Sequence, residues 1–176
     1  MSGMLEYSGD TRSGIVGFPR NTIGSFYVRG SNAWTAYSSG SHITSFNTVP
    51  NTQGERGTGL NVGACWNTST HRYTAPTTGV YIFECRLYHC YNQNYASASW
   101  KLNGASGHMS DMGDGFFVNY NAGNSDRDAV HYLQMRVRLN AGDYVQLHAV
   151  GVCDVHGTQS GLGGYLWQPE VHNTAG

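Results

Sequence analysis

The sequence predicts an all-β domain, arranged as a sandwich or jelly roll. Three observations indicate this class: runs in which apolar and polar residues alternate, turn residues between those runs about every 8–15 positions, and no window of about 11 residues with the helical period of about 3.6. The runs amount to about eight to ten strands. The chain has 176 residues and no internal repeat, which suits a single domain with its own core.

The first half of the chain contains four candidate strands. Residues 25–29 (SFYVR) are rich in β-branched and aromatic side chains, and residues 42–49 (HITSFNTV) alternate up to a proline that ends them. Residues 60–66 and 71–74 are shorter runs, the second of which leads into a Thr-Thr-Gly turn. We expect all four to be strands.

The strongest strand signal is residues 80–91 (VYIFECRLYHCY). Side chains along a strand point alternately to its two faces, so residues of one parity share a face. We expect four of them to face the core: Tyr81, Phe83, Cys85 and Leu87. The opposite face then carries Ile82, Glu84 and Arg86.

Four further elements complete the pattern. Residues 96–102 precede Asn103-Gly104, a dipeptide typical of tight hairpins. Residues 129–139 alternate over their second half, which predicts four inward side chains: Leu133, Met135, Val137 and Leu139. Residues 144–152 alternate again, and residues 163–168 form a last short strand.

Composition excludes several classes of protein. Charged residues make up 12% of the chain and the net charge is −1, so there is no cationic surplus to neutralise the phosphates of a nucleic acid. Twelve Tyr, six Phe and four Trp distinguish the chain from a disordered one. No run approaches the roughly 20 apolar residues of a membrane helix. We therefore expect a folded protein that neither binds nucleic acid nor inserts into a membrane.

The chain divides into three segments. Residues 1–23 are polar, rich in Gly and Ser and without a period, apart from a short apolar patch at Ile15, Val16 and Phe18. We interpret them as a docking arm, residues 24–169 as the domain and residues 170–176 as a tail. The first residues have neither the basic nor the apolar region of a signal peptide, so we expect the chain to stay in the cytoplasm or to leave it within an assembly.

The four cysteines are predicted to be free thiols. Cys85 and Cys90 fall in one predicted strand, where five steps of about 3.3 Å place them roughly 16 Å apart, too far for a disulfide. A chain of this length also does not need disulfides to hold a core. We expect Cys65 and Cys153 to be free as well.

Five segments, in order, carry a resemblance to a known family. They are Phe46-Asn47-Thr48-Val49, residues 73–83, Leu102-Asn103-Gly104, residues 139–145 and Gly163-Gly164-Tyr165-Leu166. With this order and spacing, residues 24–168 resemble the C1q/TNF-like domain. Two departures stand out: Leu162 occupies the place of the aromatic residue that usually precedes the glycine of the closing strand, and residues 105–128 match poorly.

The resemblance implies a ten-strand jelly roll that forms tight homotrimers. A bare domain with a short arm and loops rich in Asn, Gly, Ser and Thr is similar to the versions found in bacteriophage structural proteins, at tail-fibre tips or as capsid decoration. The implied function is a non-enzymatic trimer on the virion surface, assembled in the host cytoplasm and anchored to other virion proteins by residues 1–23. The alternative is a trimeric recognition module for a receptor or a host surface glycan.

Two groups of residues are candidates for these roles. The resemblance makes five strand aromatics candidates for a trimer core, the other interpretation being the core of one sandwich: Tyr81, Phe83, Tyr144, Tyr165 and Trp167. Loops rich in Tyr and Asn suit the recognition of polar ligands, although turns that contact only solvent have the same composition. These loop candidates are Tyr91, Asn92, Asn94 and Tyr95.

Metal chemistry has weak support in the sequence. His89-Cys90 and Cys153-Asp154-x-His156 are the closest clusters to zinc ligands, but neither has the paired spacing of a zinc site. Residues 111–115 (DMGDG) and 126–128 (DRD) offer oxygen ligands for calcium and also make ordinary turns. We expect no cofactor and leave calcium open.

Catalytic motifs are also missing. Gly104-Ala105-Ser106-Gly107 is one residue short of a nucleophile elbow, and few glutamates are placed to act as an acid–base pair. The sequence therefore predicts no enzymatic activity, with a metal-dependent jelly-roll enzyme as the remaining alternative.

Overall fold

The computed structural model describes residues 24–32, 34–49, 61–90, 95–104, 116–120 and 129–170. Twelve strands lie within these ranges: β1 Ser25–Arg29, β2 Thr35–Tyr37, β3 Asn61–Val62, β4 Trp66–Asn67, β5 Arg72–Thr74, β6 Gly79–Cys90, β7 Tyr95–Leu102, β8 Phe116–Tyr120, β9 Ala129–Leu139, β10 Tyr144–Ala149, β11 Cys153–Val155 and β12 Gly161–Pro169. A 3-10 turn, Gly157–Gln159, joins the last two strands. The all-β class is confirmed.

The first sheet is built around β6. Strand β9 pairs with one edge of β6 from Gly79 to His89, so β12 and β11 share its other edge in succession. The sheet continues from β12 through β1 to β3, and from β11 to β2. All of these pairings are antiparallel. This seven-stranded sheet provides the surface on which the candidate site lies.

The second sheet has five strands in the order β4-β5-β10-β7-β8. It packs face to face on the first sheet through aromatic rings. Phe26 of β1 stacks on Trp66 of β4, with ring centroids 4.9 Å apart, and Phe83 of β6 meets Trp100 of β7 at 5.4 Å. Burying a large apolar side chain contributes about 1.5–3 kcal/mol, so this layer is the main source of stability.

The predicted alternation of the two longest strands is confirmed. The inward residues of β6 and β9 are all buried: Tyr81, Phe83, Cys85, Leu87, Leu133, Met135, Val137 and Leu139. Between them, Glu84 and Arg86 on β6 and Arg136 on β9 point outward and are exposed. Ile82 lies in the outward register with them but is buried, at 8% exposure. The outward side of the seven-stranded sheet is therefore a surface rather than a second core.

The prediction of a strand at residues 42–49 is wrong. This segment makes only isolated bridges, His42 with His148 at one end and Thr48 with Arg29 at the other. It crosses from β10 of the second sheet to β1 of the first, so it cannot pair along one strand. Ile43, Ser45 and Phe46 are all buried, a pattern that does not follow the two-residue period of a strand.

The run at residues 60–66 also differs from the prediction, whereas the predicted turn at Asn103-Gly104 is present. The run at 60–66 is broken by a turn at Gly63 and Ala64, both with positive φ, and leaves the short strands β3 and β4. Asn103 and Gly104 form the predicted turn with positive φ, at 50° and 70°. Residues 105–115 lie outside the described residues, so the hairpin stays a prediction. Strand β7 pairs with β8, which begins at Phe116, and with β10.

The sequence missed β2, β8 and β11, and it made β10 too long. Strands β2 and β11 have three residues each, which is too short for an alternation signal. Strand β10 ends at Ala149, where the backbone bonds with Gly40 and Ser41 replace the ladder. The predicted arm, residues 1–23, and most of the tail, residues 171–176, lie outside the described residues, so those domain boundaries remain predictions.

Candidate functional site

The outward side of the seven-stranded sheet is the most distinctive surface of the described chain. We call the outward side chains of β1, β12, β6 and β9 the outer face. Strand register arranges them in three rows. These are Ser25-Tyr165-Ile82-Arg136, then Tyr27-Gly163-Glu84-Gln134, then Arg29-Gly161-Arg86-Tyr132.

Large aromatic side chains are exposed on the outer face. Tyr132 is 75% exposed, Trp167 49%, Tyr165 41% and Tyr27 40%. The Arg136 guanidinium lies over the Trp167 ring, 4.3 Å from its centroid, a cation–π contact that orients the indole. Exposed aromatics grouped on one sheet face are typical of a surface that another molecule covers.

Polar contacts tie the outer face together. The Gln134 amide Nε2 donates to Glu84 Oε1 at 3.2 Å, linking β9 to β6. Arg138 forms an ion pair with Glu170, at 2.5 Å between Nη2 and Oε2. Because both side chains are solvent-exposed, such a pair contributes at most about 1 kcal/mol.

A cavity of about 230 Å³ opens at the third row. Its lining residues are Tyr27, Arg29, Arg86, Thr158, Gln159 and Ser160. Arg29 and Arg86 flank Gly161 on the neighbouring strands, and the Tyr27 ring lies over the glycine, where a Cβ atom would be 2.7 Å from the Tyr27 hydroxyl oxygen. The 3-10 turn that precedes β12 forms the remaining wall. We call this cavity the arginine pocket.

Three aromatic rings meet beside the arginine pocket. Trp34, which is 44% exposed, approaches His156 edge-on at 4.6 Å and Tyr88 at 5.8 Å. Tyr88 and His156 are also edge to face, at 5.6 Å. We call Trp34, Tyr88 and His156 the aromatic cluster.

Three histidines gather on the other side of the domain. The His42 ring lies 5.1 Å from that of His148 and 5.7 Å from that of His71. Burial, followed by the charge of His148, lowers the pKa of His42 to about 4. Burial also lowers the pKa of His148. Within the described residues, no group of three or more His, Cys, Asp or Glu side chains is arranged to hold a metal ion, these histidines included.

The chain has no match to any family model or to any curated protein sequence. Its fold does match solved structures. The structure of Eiger TNF from S. frugiperda superposes with a TM-score of 0.59 over 88% of this chain and 99% of that one, at 13% identity. The globular domain of zebrafish complement 1qA protein superposes with a TM-score of 0.55 over 84% of this chain and 99% of that one, at 11% identity. The fold is a C1q/TNF-like jelly roll.

The five aromatic candidates for a trimer core lie in different parts of the structure. Tyr81 and Phe83 are fully buried within one protomer and so belong to its own core, the alternative that the sequence left open. Tyr144 lies on β10 of the second sheet, half-buried beneath the Arg72 guanidinium at 4.2 Å. Tyr165 and Trp167 lie together on the outer face and remain candidates.

The other predicted sites fall partly outside the described residues of the jelly roll. Tyr91, Asn92 and Asn94 lie outside them, as do the calcium candidates at 111–115 and 126–128; Tyr95 begins β7. Cys153 points into the core while Asp154 points outward, so the zinc candidate at 153–156 does not converge. No helix in the described ranges is long and apolar enough to span a bilayer.

Sequence reasoning missed the arginine pocket and the aromatic cluster. The only local signal was the alternation of β6, which predicts that Arg86 points outward but not which residues lie beside it. Arg29 and Gly161 join it through pairing between strands that are far apart in sequence. Trp34 and His156 lie outside every predicted strand, so no alternation pointed to them.

Proposed function

We propose that the protein is a non-enzymatic homotrimeric module that serves as a structural protein on the surface of a bacteriophage virion, as capsid decoration or a fibre head. The observation that supports the trimer is the exposure of four aromatic side chains together on the outer face: Tyr27, Tyr132, Tyr165 and Trp167. Sheet faces with this much exposed aromatic surface are stabilised when another copy covers them. The C1q/TNF-like fold supports the same assembly.

The virion role is supported by the sequence resemblance and by composition. Low charge and many short turns rich in Gly, Asn and Thr suit a rigid β trimer exposed to solvent. The proposed anchor is the arm, residues 1–23, through Ile15, Val16 and Phe18. Its partners are other virion proteins, and no cofactor is required for this role.

Native mass tests the trimer. Analytical ultracentrifugation of the full chain is expected to give three times 19.2 kDa. The double variant Tyr165→Asp and Trp167→Asp, which places two carboxylates on the outer face, is expected to give a folded monomer. The matched control is Trp34→Asp, an exposed aromatic outside the outer face, which is expected to remain trimeric. A monomeric wild-type chain at micromolar concentration would refute the trimer.

Particle composition tests the virion role. Antibody labelling of purified particles is expected to detect the chain at regular positions. The triple variant Ile15→Ser, Val16→Ser and Phe18→Ser is expected to form trimers of unchanged mass that no longer join particles. Normal incorporation of this variant would show that the apolar patch is not the anchor.

A second candidate function is recognition of a receptor or glycan. The aromatic cluster favours it, because Trp34 and its neighbours form a partly exposed platform next to the end of β6. The loop candidates Tyr91, Asn92 and Asn94 follow β6 directly in sequence. Binding to a glycan array, lost in Tyr91→Ala and Tyr95→Ala variants, would distinguish recognition from a purely structural role.

A further inference from the structure

We infer that Trp34 and Asp154 bind an amino sugar, with its cationic amine held by the carboxylate and its ring packed on the indole. We call these two side chains the Trp–Asp site. The inference rests on the second candidate function, recognition, and deepens it by naming the class of ligand. It does not depend on the trimer, because Trp34 precedes β2 and Asp154 lies on β11, and neither strand belongs to the outer face.

Strand register brings the two residues of the Trp–Asp site together at an edge of the seven-stranded sheet. Strand β2 lies at that edge and pairs with β11, with Thr35 opposite Val155 and Ala36 opposite Asp154. Trp34 is two residues before Ala36, so it lies on the same side of the sheet as Asp154. Diagonal neighbours of this kind have Cα atoms about 7–8 Å apart, within reach of an aromatic side chain.

The Trp34 indole is held in place and is open to solvent. His156 meets it edge-on at 4.6 Å, and Tyr88 lies 5.8 Å away. The position of His156 is fixed in turn, because its backbone N–H donates to the Tyr88 carbonyl at 2.8 Å and its Nδ1 lies 3.1 Å from the Thr158 hydroxyl oxygen. Trp34 nevertheless remains 44% exposed. An indole that is already oriented loses little side-chain freedom when a ligand packs on it.

The charge beside the indole selects a cation. Asp154 is partly exposed, and among the described residues none donates a hydrogen bond to its carboxylate or forms an ion pair with it. Ala36, its neighbour on β2, is exposed and too short to cover the carboxylate. On β6, Arg86 is four residues from Cys90, the partner of Asp154, which is roughly 13 Å along the strand. The negative charge of Asp154 is therefore available to a ligand.

A sugar that carries an amine uses both side chains of the Trp–Asp site. An indole face attracts a cation, and a carboxylate accepts a charge-assisted hydrogen bond from an ammonium group. The indole also packs against the apolar C–H face of a sugar ring. A neutral sugar would use mainly the indole, and a small ammonium ion would leave most of the indole uncovered. The combination of exposed indole and carboxylate thus favours the amino sugar.

The position of the Trp–Asp site suits a recognition surface. The Leu166 backbone N–H donates to the Gly24 carbonyl at 3.2 Å, so the arm leaves the domain where Leu166 pairs with Tyr81 of β6. Val155, next to the site, pairs with His89, eight residues and roughly 26 Å further along β6. A protein that is anchored by its arm therefore presents the Trp–Asp site at its far end.

The experiment titrates the full-length protein with D-glucosamine, D-glucose and tetramethylammonium at neutral pH, followed by NMR chemical shifts or calorimetry. Glucosamine is expected to bind with a Kd of about 1 mM, and glucose at least about tenfold more weakly. Tetramethylammonium, which has no hydrogen-bond donor and no sugar ring, is also expected to bind more weakly than glucosamine.

Two variants test the roles of the two side chains. Asp154→Asn, which keeps the shape of the side chain, is expected to weaken glucosamine binding at least about fivefold and to leave glucose binding unchanged. Trp34→Ala is expected to weaken the binding of both sugars about threefold to tenfold. Glu170→Gln, which removes an exposed carboxylate at the arm end of the domain, is the matched control and is expected to bind as the wild type does.

The opposite results are equally decisive. Absence of saturable glucosamine binding by the wild type, or unchanged binding by Asp154→Asn, would overturn the Trp–Asp site. Glucose that binds as tightly as glucosamine would overturn the role of the cation, and tetramethylammonium that does so would overturn the role of the sugar ring.

Native mass and a glycan array separate this inference from the proposed functions. A wild-type monomer that binds glucosamine would refute the assembly and leave the Trp–Asp site standing. A trimer that does not bind glucosamine would overturn the site and leave the assembly standing. Glycan binding that depends on Tyr91 and Tyr95 but not on Trp34 or Asp154 would support recognition at another place and overturn the site.

Discussion

The imidazole rings of His42 and His148 stack on each other, with centroids 5.1 Å apart and planes 19° from parallel. His42 Nε2 lies 3.1 Å from the His71 carbonyl oxygen, and Gln146 Nε2 lies 3.3 Å from His42 Nδ1. A neutral His42 with its proton on Nε2 satisfies both contacts. A second proton on Nδ1 would face the amide N–H groups of Gln146, so this packing favours the uncharged ring.

Acidification is therefore expected to destabilise the fold through His42. Burial and the charges of His148, His71 and Arg72 lower the pKa of His42 to about 4, while the bond to the His71 carbonyl opposes the shift. Burial, and to a lesser extent the charge of Lys101, lowers the pKa of His148. Because the folded pKa lies below the unfolded value of 6.5, the unfolded chain binds more protons between them. Stability is then full above about pH 6.5 and falls towards pH 4. Partial exposure limits the loss to about 1–2 kcal/mol.

Urea unfolding between pH 7 and pH 4 measures this loss. In His42→Gln the group cannot titrate, so the variant is expected to lose less stability over the same range than the wild type. His156→Gln, outside this histidine group, serves as the control and is expected to follow the wild type. Parallel curves for wild type and His42→Gln would show that His42 is not responsible.

Gly164 permits the close packing of two core aromatics. A Cβ atom at this position would lie 2.6 Å from Phe83 Cδ1 and 2.9 Å from Phe26 Cε1. Gly164→Ala is expected to destabilise the domain by about 1–3 kcal/mol, because both rings must move. Gly163→Ala, on the outer face with its nearest atom at 3.2 Å, is the matched control with a smaller expected loss. Equal losses in chemical denaturation would contradict this explanation.

Asn103 joins two turns that are distant in sequence. Its amide Nδ2 donates to Asp143 Oδ1 and its Oδ1 accepts from the Tyr144 backbone N–H, both at 2.8 Å, while its φ is +50°. Asn103→Ala loses both bonds and is expected to lower the unfolding free energy by about 1–3 kcal/mol. Asn103→Gly also loses the bonds but tolerates positive φ, so thermal unfolding is expected to place it above the alanine variant. The reverse order would refute the role of φ.

The buried thiols are expected to resist alkylation in the native state. Burial raises the pKa of Cys65 to about 11 and of Cys153 to about 12, and it raises that of Cys85 well above its usual range. Thiolate, the reactive form, is therefore scarce at neutral pH. Iodoacetamide labelling mapped by peptide mass spectrometry is expected to modify these three only after denaturation. Rapid native labelling of Cys85 would contradict its burial.

The sequence could predict what depends on local pattern. The alternation at 80–91 and 129–139 identified β6 and β9, their inward residues and the outward position of Arg86, because a strand exposes every second side chain to the same face. The free state of Cys65, Cys85 and Cys153 was also predicted and is confirmed. The resemblance identified the C1q/TNF-like fold through turns whose chemistry is local.

The tertiary structure decided what depends on pairing between distant segments. Residues 42–49 alternate like a strand, yet they cross between the sheets because neither offers them a full-length partner. Arg29, Gly161 and Arg86 form one pocket only because β1 and β6 lie on either side of β12 in a particular register. Register is set by the packing of whole sheets, and a shift of one residue in β6 would turn Arg86 towards the core. The sequence thus determined which side chains face outward, and only the fold determined which of them meet.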